Sequence, residues 1–136
     1  MSGIAAFGTL LKKGATAVAN VTNISGPGIS LNTEDVTSHD STSGWEEVVA
    51  TIVRSGTIRL DINYDPANAT HKNAVNGLIY DLVNKTDVTT YTLCFPGGVI
   101  WSFAHAFVTG FEPGMPHAGK ITATVTIKPS GVVTLV

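Results

Sequence analysis

A chain of 136 residues with a net charge of −2 and a pI of about 6.0 suits one domain with a real core, and it lacks the basic footprint needed to grip nucleic acid. Charged residues make up only 13%, about half the usual ~25%, and mean hydropathy is +0.24, which points to a surface partly covered by partners rather than by water. The single cysteine, Cys94, excludes an intrachain disulfide framework, and the N-terminus has no basic-then-apolar signal sequence, so the expectation is a protein made and kept in the cytoplasm until assembly.

In chain order, Ser2 to Thr16 mixes small, apolar and lysine residues and is expected to form an extended arm with weak structure of its own. Ala17 to Ser25 is a β-branched strand and Ile29 to Val36 a second. Gly26-Pro27-Gly28 joins them in a form that suits a type II turn, with positive φ at the glycine after proline. Thr37 to Gly44 holds only Thr, Ser, His, Asp and Gly, and reads as a long exposed loop closed by Trp45. Such a composition predicts no order in the free subunit. Trp45 to Val53 fits one face of a short helix or a buried strand.

Gly56 to Tyr64 alternates cleanly. Ile58, Leu60, Ile62 and Tyr64 face one way, and Thr57, Arg59, Asp61 and Asn63 the other. Asp65-Pro66 ends it. Thr70 looks like an N-cap for a helix from His71 to about Lys85, with Val75, Leu78, Ile79, Leu82 and Val83 at helical spacing. Thr89 to Phe95 is a strand, Pro96-Gly97-Gly98 a hairpin turn, and Val99 to Phe111 a strand apolar on both faces, which implies burial on both sides or a subunit contact. That apolar run is broken by Ser102, His105 and Gly110 and falls short of the ~20 residues of a membrane helix. Gly119 to Lys128 points Ile121, Ala123, Val125 and Ile127 inward and Thr122, Thr124 and Thr126 outward, and Val132 to Val136 adds a short last strand. With no repeat or linker, residues 1–136 form a single domain of mainly β (α+β) class, mostly antiparallel, with one flanking helix.

No set of residues here supports catalysis or a cofactor. His39-Asp40-Ser41 has the residue types of a hydrolase triad, but three adjacent residues do not give a base within reach of a nucleophile and oriented by an acid. Asp61, Asn63 and Asp65 imitate the opening of a calcium loop whose required glycine and glutamate places hold Pro66 and Lys72. His39, His71, His105 and His117 lack metal-ligand spacing, and His105, between Phe103 and Phe107, reads as a hydrogen-bonded core or interface residue. Leu31 occupies the third glycine place of a dinucleotide fingerprint, and Cys94 reads as a small buried hydrophobe. What remains is a set of strands whose outward faces carry Thr, Ser and Asn with few charges. Such faces suit the wall of a conduit past which a polyanion slides without sticking, since each Lys or Arg contact to phosphate adds affinity. They suit an ordinary solvent-facing sheet equally well.

Several stretches, in order, carry a family resemblance. Ile24-Ser-Gly-Pro-Gly-Ile29, Asp35-Val-Thr-Ser-His-Asp-Ser41 and Gly44-Trp45-Glu46 are followed by Asn63-Tyr-Asp-Pro-Ala-Asn-Ala-Thr-His71, Phe95-Pro-Gly-Gly98, Trp101-Ser-Phe103 and Thr109-Gly-Phe-Glu-Pro113. Together they resemble the major tail tube protein of long-tailed bacteriophages over nearly the whole chain. The resemblance implies an antiparallel β-sandwich or barrel with a flanking helix, assembled into hexameric rings that stack into a virion tail tube and conduct the genome. It implies a tape-measure protein and tail terminator and tip proteins as partners, transient passage of double-stranded DNA without specific binding, and no cofactor. Carried over by position, 37–49 would be a long loop contacting the next ring, through His39, Asp40, Ser41, Trp45 and Glu46. The arm 1–16, with Lys12 and Lys13, would do the same or reach the adjacent subunit. The Thr57/Arg59/Asp61/Asn63 face, the Thr122/Thr124/Thr126 face, or both, would turn to the lumen. Some larger relatives carry an immunoglobulin-like domain after the tube domain, and this chain stops before one. Two alternatives stay open: the tube protein of a related contractile injection or secretion machine, and a monomeric β-sandwich binding module.

Overall fold

The computed structural model describes residues 8–40 and 42–135, and places in chain order β1 (Leu10–Lys13), β2 (Thr16–Ala17), β3 (Val21–Ser25), β4 (Ile29–Asp35), β5 (Val48–Ser55), β6 (Ile58–Asn63), α1 (Leu78–Val83), β7 (Tyr91–Cys94), β8 (Ile100–Gly114) and β9 (Thr122–Leu135). Seven strands make one antiparallel sheet in the order β2-β1-β7-β8-β9-β6-β3, while β4 and β5 form a separate two-stranded ribbon. The fold is therefore mainly β and antiparallel, with a single short α-helix among the described residues, as the alternating patterns predict. Leu10 and Leu93 from one end of the sheet and Val21 and Ile24 from the other line one groove, so the sheet curls around its core without closing into a barrel.

The alternating segments bury the faces their patterns require, except that Ile121, expected inward, precedes β9 and is exposed. Ile58, Leu60 and Ile62 of β6 and Ala123, Val125 and Ile127 of β9 are buried, and they meet Leu11, Leu93 and Phe103 in one core. Helix α1 packs on β8 and contributes Leu78. Pro96-Gly97-Gly98 joins β7 to β8 as expected, closed by the Phe95 N–H donating to the Val99 carbonyl.

Five further expectations change. Leu10–Lys13, placed by sequence in a weakly structured arm, pairs with β2 and β7 and buries Leu11 completely; β7 lies far away in sequence, where local composition cannot see it. The expected turn after β3 is a crossover between sheets, since β3 pairs with β6 and β4 with β5. Gly26, not Gly28, carries the positive φ (79°), and a Cβ there would strike the Thr57 carbonyl. Trp45 to Val53 gives neither a helix nor a buried strand: from Val48 onward it is exposed β5. Val132–Leu135 is no separate strand but the far half of β9, reached across a bulge region with Gly131 at φ 80°.

The helix is the fifth. It spans only Leu78–Val83, because Asn76 (φ 75°) breaks the backbone and Gly77 packs so tightly that a Cβ would strike the Lys72 carbonyl. Thr70 is not its cap: the Thr70 hydroxyl accepts the Ala19 N–H at 3.2 Å and donates to Asn68 Oδ1 at 2.6 Å. The turns before α1 are instead bolted down by His71, which is fully buried. Its Nδ1 accepts the Asp65 N–H at 3.3 Å, which leaves Nε2 to donate to the Ala19 carbonyl at 2.7 Å. That pairing assigns a neutral ring with its proton on Nε2.

Candidate assembly surfaces

The two polar sets expected on β6 and β9 turn out to be one surface. The strands pair with Arg59 opposite Thr126, Asp61 opposite Thr124 and Asn63 opposite Thr122, and directly opposed residues share a face. Strand β3 extends it, with Ser25 opposite Arg59 and Asn23 opposite Asp61, and β8 extends it on the other side with Gly110 opposite Thr126 and Glu112 opposite Thr124. The Asp61 carboxylate is held within the face, accepting from the Thr124 hydroxyl at 3.3 Å and the Asn23 amide at 3.4 Å. Lys128, next in the alternation, instead donates its ammonium to the Ser55 carbonyl at 2.8 Å, at the base of the β4–β5 ribbon. The face itself is therefore polar and sparsely charged, with Arg59 set against Asp61 and Glu112. Thr57 stands in the exposed turn before β6 rather than on this strand.

The second surface is the ribbon. Register pairs Asp35 with Val48 and Glu34 with Val49, so apolar side chains stand on both faces of the ribbon: Val49 on one, and Leu31 opposite Val53 on the other. That face is uncovered: Leu31 is 54% exposed, Val53 66%, and Trp45 beyond the strands 76%. Two strands alone are marginal in water, and among the described residues no sheet lies beneath this ribbon. Its far end is tied by the Glu47 N–H donating to the Thr37 hydroxyl at 2.8 Å and by the Val36 N–H donating to the Glu47 carbonyl at 2.9 Å. The Asp35 carboxyl accepts the Thr37 N–H at 2.8 Å, and Thr37 holds it below the usual carboxylate range through its hydroxyl and its amide. His39, Asp40 and Glu46 are exposed here, while Ser41 lies outside the described residues.

The expected lysine contacts divide. Lys12 is half-buried on β1. Lys13 is engaged inside the chain: its ammonium reaches both oxygens of buried Asp81 at 2.9 Å, and the Tyr91 hydroxyl donates to the same carboxylate at 3.1 Å. Burial, and then the Asp81 charge, push the Tyr91 hydroxyl far above its ordinary 10.0. This cluster joins β1, α1 and β7. No sequence signal announces it, because Lys13 and Asp81 are 68 positions apart. His105, expected in a core or an interface, is half-exposed, with Nδ1 2.8 Å from the Asp87 carboxylate. Among the described residues no helix is long and apolar enough to cross a membrane.

Comparison with known proteins completes the picture. A search of curated protein sequences finds no match. Among solved structures, a chain from the virion of a native gene transfer agent particle is similar at TM-score 0.75 and 16% identity, covering 94% of this chain and 95% of that one. A chain from the sheath/tube terminator of an extracellular contractile injection system in its extended state is similar at TM-score 0.72 and 15% identity, covering 99% and 97%. Hcp1 from Flavobacterium johnsoniae is similar at TM-score 0.53 and 15% identity, covering 89% of each chain. At such identities these likenesses concern the fold. The sequence model of the lambda phage tail tube protein family matches residues 4–136, so the chain belongs to that family and is a structural subunit of a tail tube.

Proposed function

We propose that this chain assembles into hexameric rings stacked head to tail, with the sparsely charged polar face of β3, β6, β9 and β8 turned to the lumen. The observation that carries this reading is the register that merges the Arg59/Asp61/Asn63 and Thr122/Thr124/Thr126 sets into one surface. Such a surface hydrogen-bonds water yet offers a passing polyanion few cations to release counterions against, so DNA slides instead of binding. Six-fold order is supported by the tail of an empty gene transfer agent particle, described with C6 symmetry, whose chain is similar to this one at TM-score 0.71. The ribbon and the Lys12 region supply contacts to neighbouring copies and to the next ring. Tape-measure, terminator and tip proteins complete the tail, which is put together in the host cytoplasm, and the chain acts as a building block rather than a catalyst. The similarity to contractile injection machines favours one second reading, a tube that serves such a machine, and a sheath gene beside this one would decide for it. Thr122→Lys/Thr124→Lys tests the lumen: rings should form as before while DNA exit slows. Unchanged delivery from intact tubes would remove the face from the lumen.

A further inference from the structure

The β4–β5 ribbon carries unlike chemistry at its two ends. At the sheet end, Ile29 and Val53 join Val132 and Leu135 of β9 around an open groove of about 600 Å³, with Arg54 and Lys128 also in its lining. At the far end stand exposed Trp45 and the acidic residues Glu34, Asp35, Glu46 and Glu47. Between Ser30 and Val53 the sequence has no lysine or arginine. One end is therefore an acidic aromatic knob, and the other an apolar hole with cations. A paired ribbon of about 25 Å, at ~3.4 Å per residue, cannot bend its own tip back into its own base.

We infer that the groove at the ribbon's base is the seat for the ribbon tip of a second copy, with Trp45 in the apolar hollow and Glu46 and Glu47 facing Arg54 and Lys128. The inference rests on the tube reading above and deepens it by naming the receiving surface. Knob and hole are different patches, so the contact is heterologous, and it propagates as an open stack instead of closing into a dimer. It covers Trp45 together with the exposed Ile29, Val53, Val132 and Leu135 of the groove, and it opposes acidic and basic groups whose attraction sets register.

A charge exchange tests it. Protein carrying Glu46→Lys/Glu47→Lys has basic tips and basic seats; protein carrying Arg54→Glu/Lys128→Glu has acidic tips and acidic seats. Each alone should stay unstacked where the natural chain forms tubes, and an equimolar mixture should stack in alternation. Should either variant misfold, cysteine pairing in a Cys94→Ser background gives a second readout: Trp45→Cys protein mixed with Val132→Cys protein should oxidise to a heterodimer. Tubes that form regardless of the exchange, a mixture that fails to recover stacking, or no heterodimer would overturn the seat while leaving the tube reading intact. A natural chain that never forms tubes would instead overturn the tube reading.

Discussion

The curled sheet and the ribbon are built from the same kinds of residue and meet opposite fates. In β6, Leu60 is completely buried; in β4, Leu31 is 54% exposed, although each belongs to a regular antiparallel pair. The difference is what lies behind the strand. β6 has the rest of the sheet curled over its apolar face, so its hydrophobic gain is realised within one chain. Among the described residues nothing covers the ribbon, so its hydrophobic gain is not realised by them. Apolar content therefore does not tell self-burial from partner-burial; the missing layer does.

The largest effect should come from inside the sheet. Lys13→Met leaves the buried Asp81 carboxylate with only the Tyr91 hydroxyl, and urea unfolding of the subunit should lose about 3–5 kcal/mol. A loss near zero would return Lys13 to the surface contacts and blur the contrast. Next comes the matched pair. Leu60→Ala should cost about 2–5 kcal/mol, whereas Leu31→Ala should stay within about 0.5 kcal/mol in the subunit and yet impair stacking when tubes are counted by microscopy. Equal costs for the two would break the comparison. The smallest effect is alkaline. Burial and Asp81 raise the Tyr91 hydroxyl in the folded chain, so stability is full below the ordinary value of 10.0 and falls as pH rises past it, because the unfolded chain releases a proton that the folded one keeps. Tyrosinate absorbance that appears together with unfolding, and not before it, is the expected signature.

What could be read from the sequence follows the same division. Ile58 to Asn63 of β6 and Thr122 to Lys128 of β9 were legible residue by residue because one wet and one dry face write a period of two into the chain. Their merger into a single surface was not, since it depends on a register between segments far apart. The ribbon's valines and isoleucines suggested burial because side-chain chemistry is the same whoever supplies the cover. The helix was overextended because the spacing of Val75 and Leu78 is helical while Asn76 and Gly77 between them are not. The Lys13–Asp81–Tyr91 cluster and the His71 bolt left no trace, as each joins segments that meet only in the folded chain.

Strand β9 runs from Thr122 to Leu135, with its first half in the polar face and its second half in the groove. The first duty ends at Thr126 and the second begins at Lys128, so little more than one residue separates them. If one continuous beam carries both the channel wall and the coupling between stages, bore and helical pitch become a single mechanical variable. A tube of such parts would answer torsion at one end by adjusting its diameter along its length.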